Sequence, residues 1–112
     1  MKTSELEGIA LDWAVAWANG NITIKNFSGV FYLLDGDVWN PSTDWAQGGP
    51  IIEREGISVL YQTGVRMTAS INGQYEQSVG HRHKGNIGLL AAMRCYVASK
   101  LGPEVDVPEE VK

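Results

Sequence analysis

The sequence predicts a small α+β domain, in which an antiparallel sheet is combined with an N-terminal helix, a short broken central helix and a long C-terminal helix. Two observations carry this prediction. Residues 65–71 alternate apolar and polar side chains as a half-buried strand does, and Asn72-Gly73 then supplies the positive-φ positions of a tight hairpin turn. Apolar residues also recur at helical spacing near both ends of the chain, within 4–20 and 87–101.

The composition is that of an ordinary globular protein, with 44% hydrophobic and 20% charged residues. The 112 residues are enough for one core, and we expect a single domain over 1–103 and an acidic tail over 104–112. The net charge of -4 argues against duplex nucleic acid as a partner, because phosphate binding needs a basic face. With one cysteine and no membrane-length apolar run, we expect a cytoplasmic protein without a membrane partner.

The first helix is predicted to begin at Ser4, because Ser4 and Glu7 have the spacing of a capping box, and to end at Asn19-Gly20. Trp13 and Trp17 fall on its apolar face. We expect both indoles to pack in the core, since an aromatic stripe at helical spacing usually does so. Stacking on a ligand is the alternative.

Five short segments carry strand signals, namely alternation or a run of branched and aromatic residues. They are residues 22–25, 30–34, 57–62, 65–71 and 74–79. Asp35-Gly36-Asp37 predicts a turn after the second strand, and residues 80–85 predict a polar, basic loop before the last helix.

The last helix is predicted over 87–101, because Gly102-Pro103 ends it. Arg94 falls in the middle of its apolar face. A guanidinium keeps its charge, so at that position it must meet an anion or extend to water. The internal partners considered are Asp12, Asp44 and Glu53. Direct contact with an anionic ligand is the alternative.

Residues 39–55, which we call the central segment, concentrate residues that a simple connector does not need. Ser42 is expected to cap a helical turn with Asp44 near its positive end, Gly48-Gly49 to break the helix, and Pro50 to restart it. Such a break exposes amide groups beside glycine backbone, an arrangement that suits phosphate or carboxylate. The alternative is a connector whose tryptophans pack on the sheet.

No complete catalytic or metal-binding motif accompanies this segment, so we expect no enzyme activity, no metal and no cofactor. His81 and His83 are separated by one residue and point to opposite sides of an extended loop, which makes them poor joint ligands of zinc. Cys95 is expected to be a small buried hydrophobe. A hydrolase that uses Cys95 or His81 is the disfavoured alternative.

Residues 42–52 and 92–99, together with the first helix, resemble the NinX-like family of small proteins from tailed bacteriophages and prophages. The resemblance spans most of the chain, although Asn86-Ile87-Gly88 departs from the Thr-Pro helix start of that family. It implies a phage or prophage accessory protein in the host bacterial cytoplasm and no settled activity. It also implies a binding role, such as countering host defence by sequestering a host protein or a nucleotide second messenger.

The leading hypothesis is a non-enzymatic phage protein that binds a small anionic, nucleotide-like ligand. In a nucleotide-binding site, aromatic rings stack on the base, carboxylates hydrogen-bond to hydroxyl groups, and guanidinium groups bind the phosphates. The predicted ligand-binding residues are Trp39, Ser42, Asp44, Trp45, Gly48, Gly49, Arg54, Tyr61, Arg66 and Arg94. The alternative is a protein-interaction module that acts on host or phage DNA replication or recombination machinery through the acidic tail and exposed aromatics. We expect self-association into a homo-oligomer.

Overall fold

The computed structural model describes residues 1–20, 24–27, 30–33, 36–61, 66–71, 74–79 and 87–111. In these ranges the helices are α1 (Gly8–Ala18), α2 (Trp45–Glu55) and α3 (Ile87–Leu101). The strands are β1 (Ile24–Phe27), β2 (Val30–Leu33), β3 (Ser58–Tyr61), β4 (Arg66–Ile71) and β5 (Gln74–Val79). The predicted α+β class is confirmed. No helix in the described part of the chain is long and apolar enough to cross a membrane.

The strands form two antiparallel sheets. β1 pairs with β2, and β3, β4 and β5 form a meander with β4 in the centre. Ile71 of β4 lies opposite Gln74 of β5, so a two-residue connection joins the strands. This register agrees with the hairpin that Asn72-Gly73 predicts, although those two turn residues lie outside the described ranges.

α3 is the central element of the core. It contacts all three strands of the meander as well as α1 and α2. Residues 91–98 are all buried, so neighbours cover the helix on every side and not only on one apolar face. Its bounds are those predicted, and Gly102 ends it at a φ of 88°.

α1 begins later than the sequence predicts. A 3-10 turn over Thr3–Glu5 precedes it, and its N-cap Glu7 makes no side-chain capping bond. The capping box predicted from Ser4 is therefore wrong. The Thr3 hydroxyl donates to the carbonyl of Gly102 at 2.7 Å, so tertiary pairing with the chain after α3 replaces the first helical turn.

α2 runs without interruption, and the predicted break at Gly48-Gly49-Pro50 is wrong. The residue before a proline usually avoids the helical region of φ/ψ space, because its Cβ would clash with the Cδ of the proline ring. Gly49 has no Cβ, so the helix continues through Pro50 and loses one backbone hydrogen bond. It ends at Gly56, which has a φ of 67°.

The segment after α3, predicted as the acidic tail, packs against the N-terminal residues. The Val105 amide donates to the Met1 carbonyl at 2.9 Å. Val105, Val107 and Val111 are buried in the same core as the helices. Exposed and buried residues alternate over 104–107, where Glu104 and Asp106 flank Val105 and are exposed. The domain boundary at residue 103 stays a prediction.

Candidate functional site

Trp39, at the start of the central segment, is fastened to α1. Its indole is only 7% exposed, and its Nε1 donates to the carbonyl of Asp12 at 2.9 Å. Its own amide donates to the carbonyl of Phe31 in β2. A buried indole needs a hydrogen-bond partner, and here that partner is structural. Trp39 therefore holds the segment between α1 and the β1–β2 hairpin.

The Asp12 carboxylate forms a second attachment of the segment to α1. Asp12 is 6% exposed, and it accepts from the Ser42 amide at 2.9 Å. Burial raises the pKa of the Asp12 carboxyl, and hydrogen bonding from Ser42 opposes part of that rise. The Ser42 hydroxyl lies close enough to the Asp12 carboxyl to lower its pKa. It does not form a well-aligned hydrogen bond with any of the described residues.

The start of α2 is capped by Asp44, so the cap predicted at Ser42 is wrong. The Asp44 side chain accepts from the Ala46 amide at 2.9 Å, as an N-cap does. The Gln47 side chain reaches back over the turn before α2, because it accepts from the Asn40 amide at 2.7 Å and donates to the Val38 carbonyl. Ser42 is instead held by the buried carboxylate of α1.

Gly48 and Gly49 have different surroundings. A Cβ on Gly48 would overlap the Leu89 side chain of α3 and the Pro41 carbonyl, so this glycine lets α2 pack closely on its neighbours. A Cβ on Gly49 would meet only the Trp45 ring, at 4.0 Å. The predicted exposure of amide groups at a helix break is therefore wrong for this pair, because both residues lie inside α2.

Trp45 is the exposed aromatic residue of the segment, with 48% of its surface accessible. A groove of about 570 Å³ lies alongside. Its lining residues are Leu33, Asp37, Val38, Asn40, Asp44, Ala46 and Gln47. Among the described residues, two carboxylates and no cationic side chain line this groove, a lining that does not suit a phosphate.

Arg54 belongs to a polar cluster where the helices meet. Its Nη2 donates to Asn19 Oδ1 at 2.6 Å and to the Tyr96 hydroxyl at 3.2 Å, and its Nε donates to Glu55 at 2.9 Å. Lys100 also contacts Glu55, at 3.2 Å. Hydrogen bonding from Arg54 lowers the pKa of Glu55, and burial raises the pKa of Tyr96. The cluster links the end of α1 to α2 and α3.

Arg94 is 8% exposed in the middle of α3, and its Nε donates to the Leu6 carbonyl at 2.7 Å. The salt bridges among the described residues do not join it to any of the three predicted carboxylates, Asp12, Asp44 and Glu53. A buried guanidinium needs several acceptors, and the carbonyl just before α1 is one of them.

The described contacts do not gather the predicted ligand-binding residues around one cavity. Arg54 and Arg94 are engaged by different parts of the structure, and Trp39 is buried. Tyr61 and Arg66 lie in β3 and β4, but their side chains are outside the described part. Ligand binding by these residues stays a prediction.

A different aromatic site lies on α1, at the two tryptophans for which stacking on a ligand was only the alternative interpretation of the sequence. Trp13 and Trp17 stack with ring centroids 5.8 Å apart and planes 9° from parallel. Trp17 is 59% exposed, so the prediction that it packs in the core is wrong. The residues of α1 that are fully buried include Leu11, Ala14 and Val15. α1 is apolar on more than one face, so periodicity alone did not identify the side that meets the core.

The stacked pair borders a groove of about 420 Å³, which we call the aromatic groove. Its lining residues are Trp13, Trp17, Leu101, Glu104, Val105 and Asp106. Indole rings and an aliphatic side chain therefore meet two exposed acidic residues at one surface. Such a combination suits an apolar occupant that carries positive charge.

The predictions about metal and cysteine chemistry concern other residues. Within the described ranges, no three or more His, Cys, Asp or Glu side chains are grouped to hold a metal ion. His81 and His83 lie outside those ranges. Cys95 is fully buried in α3, as expected of a small hydrophobe.

Comparison with protein-family models matches residues 2–100 to the family described as Bacteriophage P22, NinX. The match covers most of the 112-residue chain, and it confirms the resemblance inferred from the sequence. A search among curated proteins finds no match at the significance level used.

Proposed function

Because the chain belongs to the bacteriophage P22 NinX family, we propose that it is a non-enzymatic phage accessory protein that binds another protein in the host bacterial cytoplasm. The observation that carries the proposal is the aromatic groove. Trp17 exposes most of its surface, and the Trp13 and Leu101 side chains line the same groove. Tryptophan is enriched at the energetically dominant positions of protein interfaces, because one side chain buries a large area at low entropic cost.

The central segment supports the proposal by contrast. Trp39, Ser42 and Gly48 are occupied in holding α2 against α1 and α3. Arg54 and Arg94, two of the cations assigned to phosphate, have protein partners. A protein-binding role therefore uses residues that the fold leaves accessible, whereas an anion-binding role needs residues that are already engaged.

We place the partner among proteins of host or phage DNA replication and recombination. Proteins of that kind carry basic faces with which they bind phosphates. The chain has a net charge of -4, and the rim of the aromatic groove adds Glu104 and Asp106 to its apolar surface. An acidic protein is complementary to such faces, and attraction between opposite charges speeds the encounter.

The test is capture of a partner from bacteria that carry the phage, with crosslinking in the cell before lysis. The wild-type chain is expected to retain a stoichiometric partner, and Trp17→Ala is expected to lose it. Trp45→Ala is the matched control, because Trp45 is an exposed tryptophan outside the groove. A partner that Trp17→Ala retains fully, or the recovery of no stoichiometric partner, contradicts the proposal.

A second candidate is binding of a small nucleotide-like ligand at the central segment. The exposed Trp45 ring favours it, since an accessible indole stacks a nucleobase. In that role the protein would sequester a defence second messenger without turnover. A thermal-shift panel of cyclic dinucleotides and ADP-ribose derivatives tests it. The expected result is stabilisation by one member that Trp45→Ala abolishes, and a panel without stabilisation contradicts it.

A further inference from the structure

The aromatic groove has a charged rim whose geometry narrows the choice of partner. Glu104 and Asp106 are exposed on either side of the buried Val105. The salt bridges within the described ranges include neither carboxylate, although Lys2 faces Glu104 across a backbone bridge. The groove therefore presents two carboxylates, without a described ion-pair partner, next to an exposed indole. The N-terminal ammonium lies near them and donates to the Val105 carbonyl at 3.0 Å.

The rim is held by backbone hydrogen bonds on both sides of Glu104. The Thr3 amide donates to the Pro103 carbonyl at 2.8 Å, and the Val105 amide donates to the Met1 carbonyl at 2.9 Å. Burial of Val107 anchors the chain beyond Asp106. Because the main chain is already ordered, binding at the rim does not need to order it, which favours affinity.

We propose that the groove receives a basic segment of the partner, in which an arginine lies on the Trp17 indole and pairs with the rim carboxylates. This inference rests on the proposed function and adds the chemistry of the partner. Arginine suits the site better than lysine because its planar guanidinium stacks on an aromatic face and bonds a carboxylate through two nitrogens. A neighbouring apolar side chain of the partner packs on Leu101. A nucleotide or an acidic peptide would be repelled by Glu104 and Asp106.

The test is selection of random twelve-residue peptides displayed on phage against the full-length chain, followed by affinity measurements on synthetic peptides. The selected peptides are expected to contain arginine beside an apolar residue. Replacing that arginine with citrulline, which keeps the shape and removes the charge, should weaken binding about tenfold, within the range of cation–aromatic and charged hydrogen-bond energies. Raising the salt concentration should weaken binding further.

Protein variants then locate the contact. Trp17→Ala and the double variant Glu104→Gln with Asp106→Asn should each weaken binding by at least about tenfold. The matched controls are Trp45→Ala and Glu53→Gln, which alter an exposed tryptophan and an exposed carboxylate outside the groove. Equal thermal stability of all variants shows that the fold is retained.

The inference is overturned if the selection yields no peptides or only peptides without basic residues. It is also overturned if the rim variant, Glu104→Gln with Asp106→Asn, binds as tightly as the wild type, or if the chain dimerises through this face. Light scattering after gel filtration detects the dimer as a halving of mass in Trp17→Ala. If cellular capture depends on Trp17 while the rim variant still binds, only the charge inference fails. If capture ignores Trp17, the proposed function itself fails.

Discussion

The central segment and the aromatic groove both combine tryptophan with acidic side chains, but the fold uses them differently. In the central segment Trp39 donates to the Asp12 carbonyl and Asp44 caps α2. In the aromatic groove the mostly exposed Trp17 stacks on Trp13, and Glu104 forms no salt bridge within the described ranges.

An unusual local composition can therefore arise from packing alone. Gly48 is required where α2 approaches Pro41 and Leu89, and a similar glycine beside a ligand would look the same in the sequence. The groove, by contrast, joins side chains of α1 and α3 to the segment after α3, which are far apart along the chain. Recognition surfaces of this kind become visible only when distant elements are assembled.

The largest expected effect separates the two tryptophans. Trp39→Ala should lower the free energy of unfolding by about 3–5 kcal/mol, because it leaves a cavity and removes the hydrogen bond from the indole to the Asp12 carbonyl. Trp17→Ala should lower it by about 1 kcal/mol or less, because Trp17 is mostly exposed. Urea unfolding followed by circular dichroism measures both. Equal losses of unfolding free energy in the two variants would contradict the different roles of Trp39 and Trp17. If Trp39→Ala fails to fold, Trp39→Phe still tests the lost hydrogen bond.

The next effect concerns the glycine pair of α2. Gly48→Ala should cost about 1–3 kcal/mol, because the added methyl overlaps Leu89 and the Pro41 carbonyl. Gly49→Ala adds a methyl at 4.0 Å from the Trp45 ring, which is an ordinary contact, so its cost comes from the Cβ that it places before Pro50 inside the helix. The midpoint of urea unfolding compares each variant with the wild type. A Gly48→Ala variant as stable as the wild type would contradict the packing role of Gly48.

A smaller effect is expected at the polar cluster between the helices. Tyr96→Phe removes the hydroxyl that donates to Asn19 and accepts from Arg54, and should cost about 1 kcal/mol. Tyr32→Phe is the matched control, because no hydrogen bond of the Tyr32 hydroxyl is found among the described residues. Thermal unfolding of both variants checks the difference, and identical midpoints would show that the cluster adds nothing measurable.

The smallest expected effect is a change in the pH dependence of stability. Burial raises the pKa of Asp12 in the folded state above the ordinary value of 3.8, which applies to the unfolded state. At a pH between the unfolded-state and the folded-state pKa, the folded state therefore binds more protons than the unfolded state. The free energy of unfolding contributed by Asp12 therefore falls as pH rises through that window. Asp12→Asn does not titrate, and its stability relative to wild type should improve from pH 4 towards pH 7.

Urea unfolding of both proteins at several pH values in that range measures this relative change. Because the other carboxylates titrate alike in the two proteins, they cancel in the difference. A difference that stays constant or moves towards the wild type would contradict the buried, raised carboxyl of Asp12.

Much of the fold followed from local patterns, and the candidate site did not. The strand alternation and Asn72-Gly73 predicted the β4–β5 pairing, and Gly102-Pro103 predicted the end of α3. Positive-φ turns and proline act within a few residues, so the sequence displays them. Two local predictions failed as well, namely the capping box at Ser4 and the helix break at Gly48-Gly49-Pro50. The predictions that failed at Ser42 and Trp17 depended on which neighbours each side chain would meet.

Local patterns were sufficient to predict the α+β class, the three helices, the antiparallel strands and the family to which the chain belongs. Tertiary packing sets the burial of Trp39, the exposure of Trp17 and the hydrogen bond from the central segment to Asp12. The physical reason is that backbone sterics and turn chemistry are local, whereas burial depends on the packing of elements far apart in the chain. α1 has apolar residues on more than one side, and its contact with α3 selects the side that faces the core.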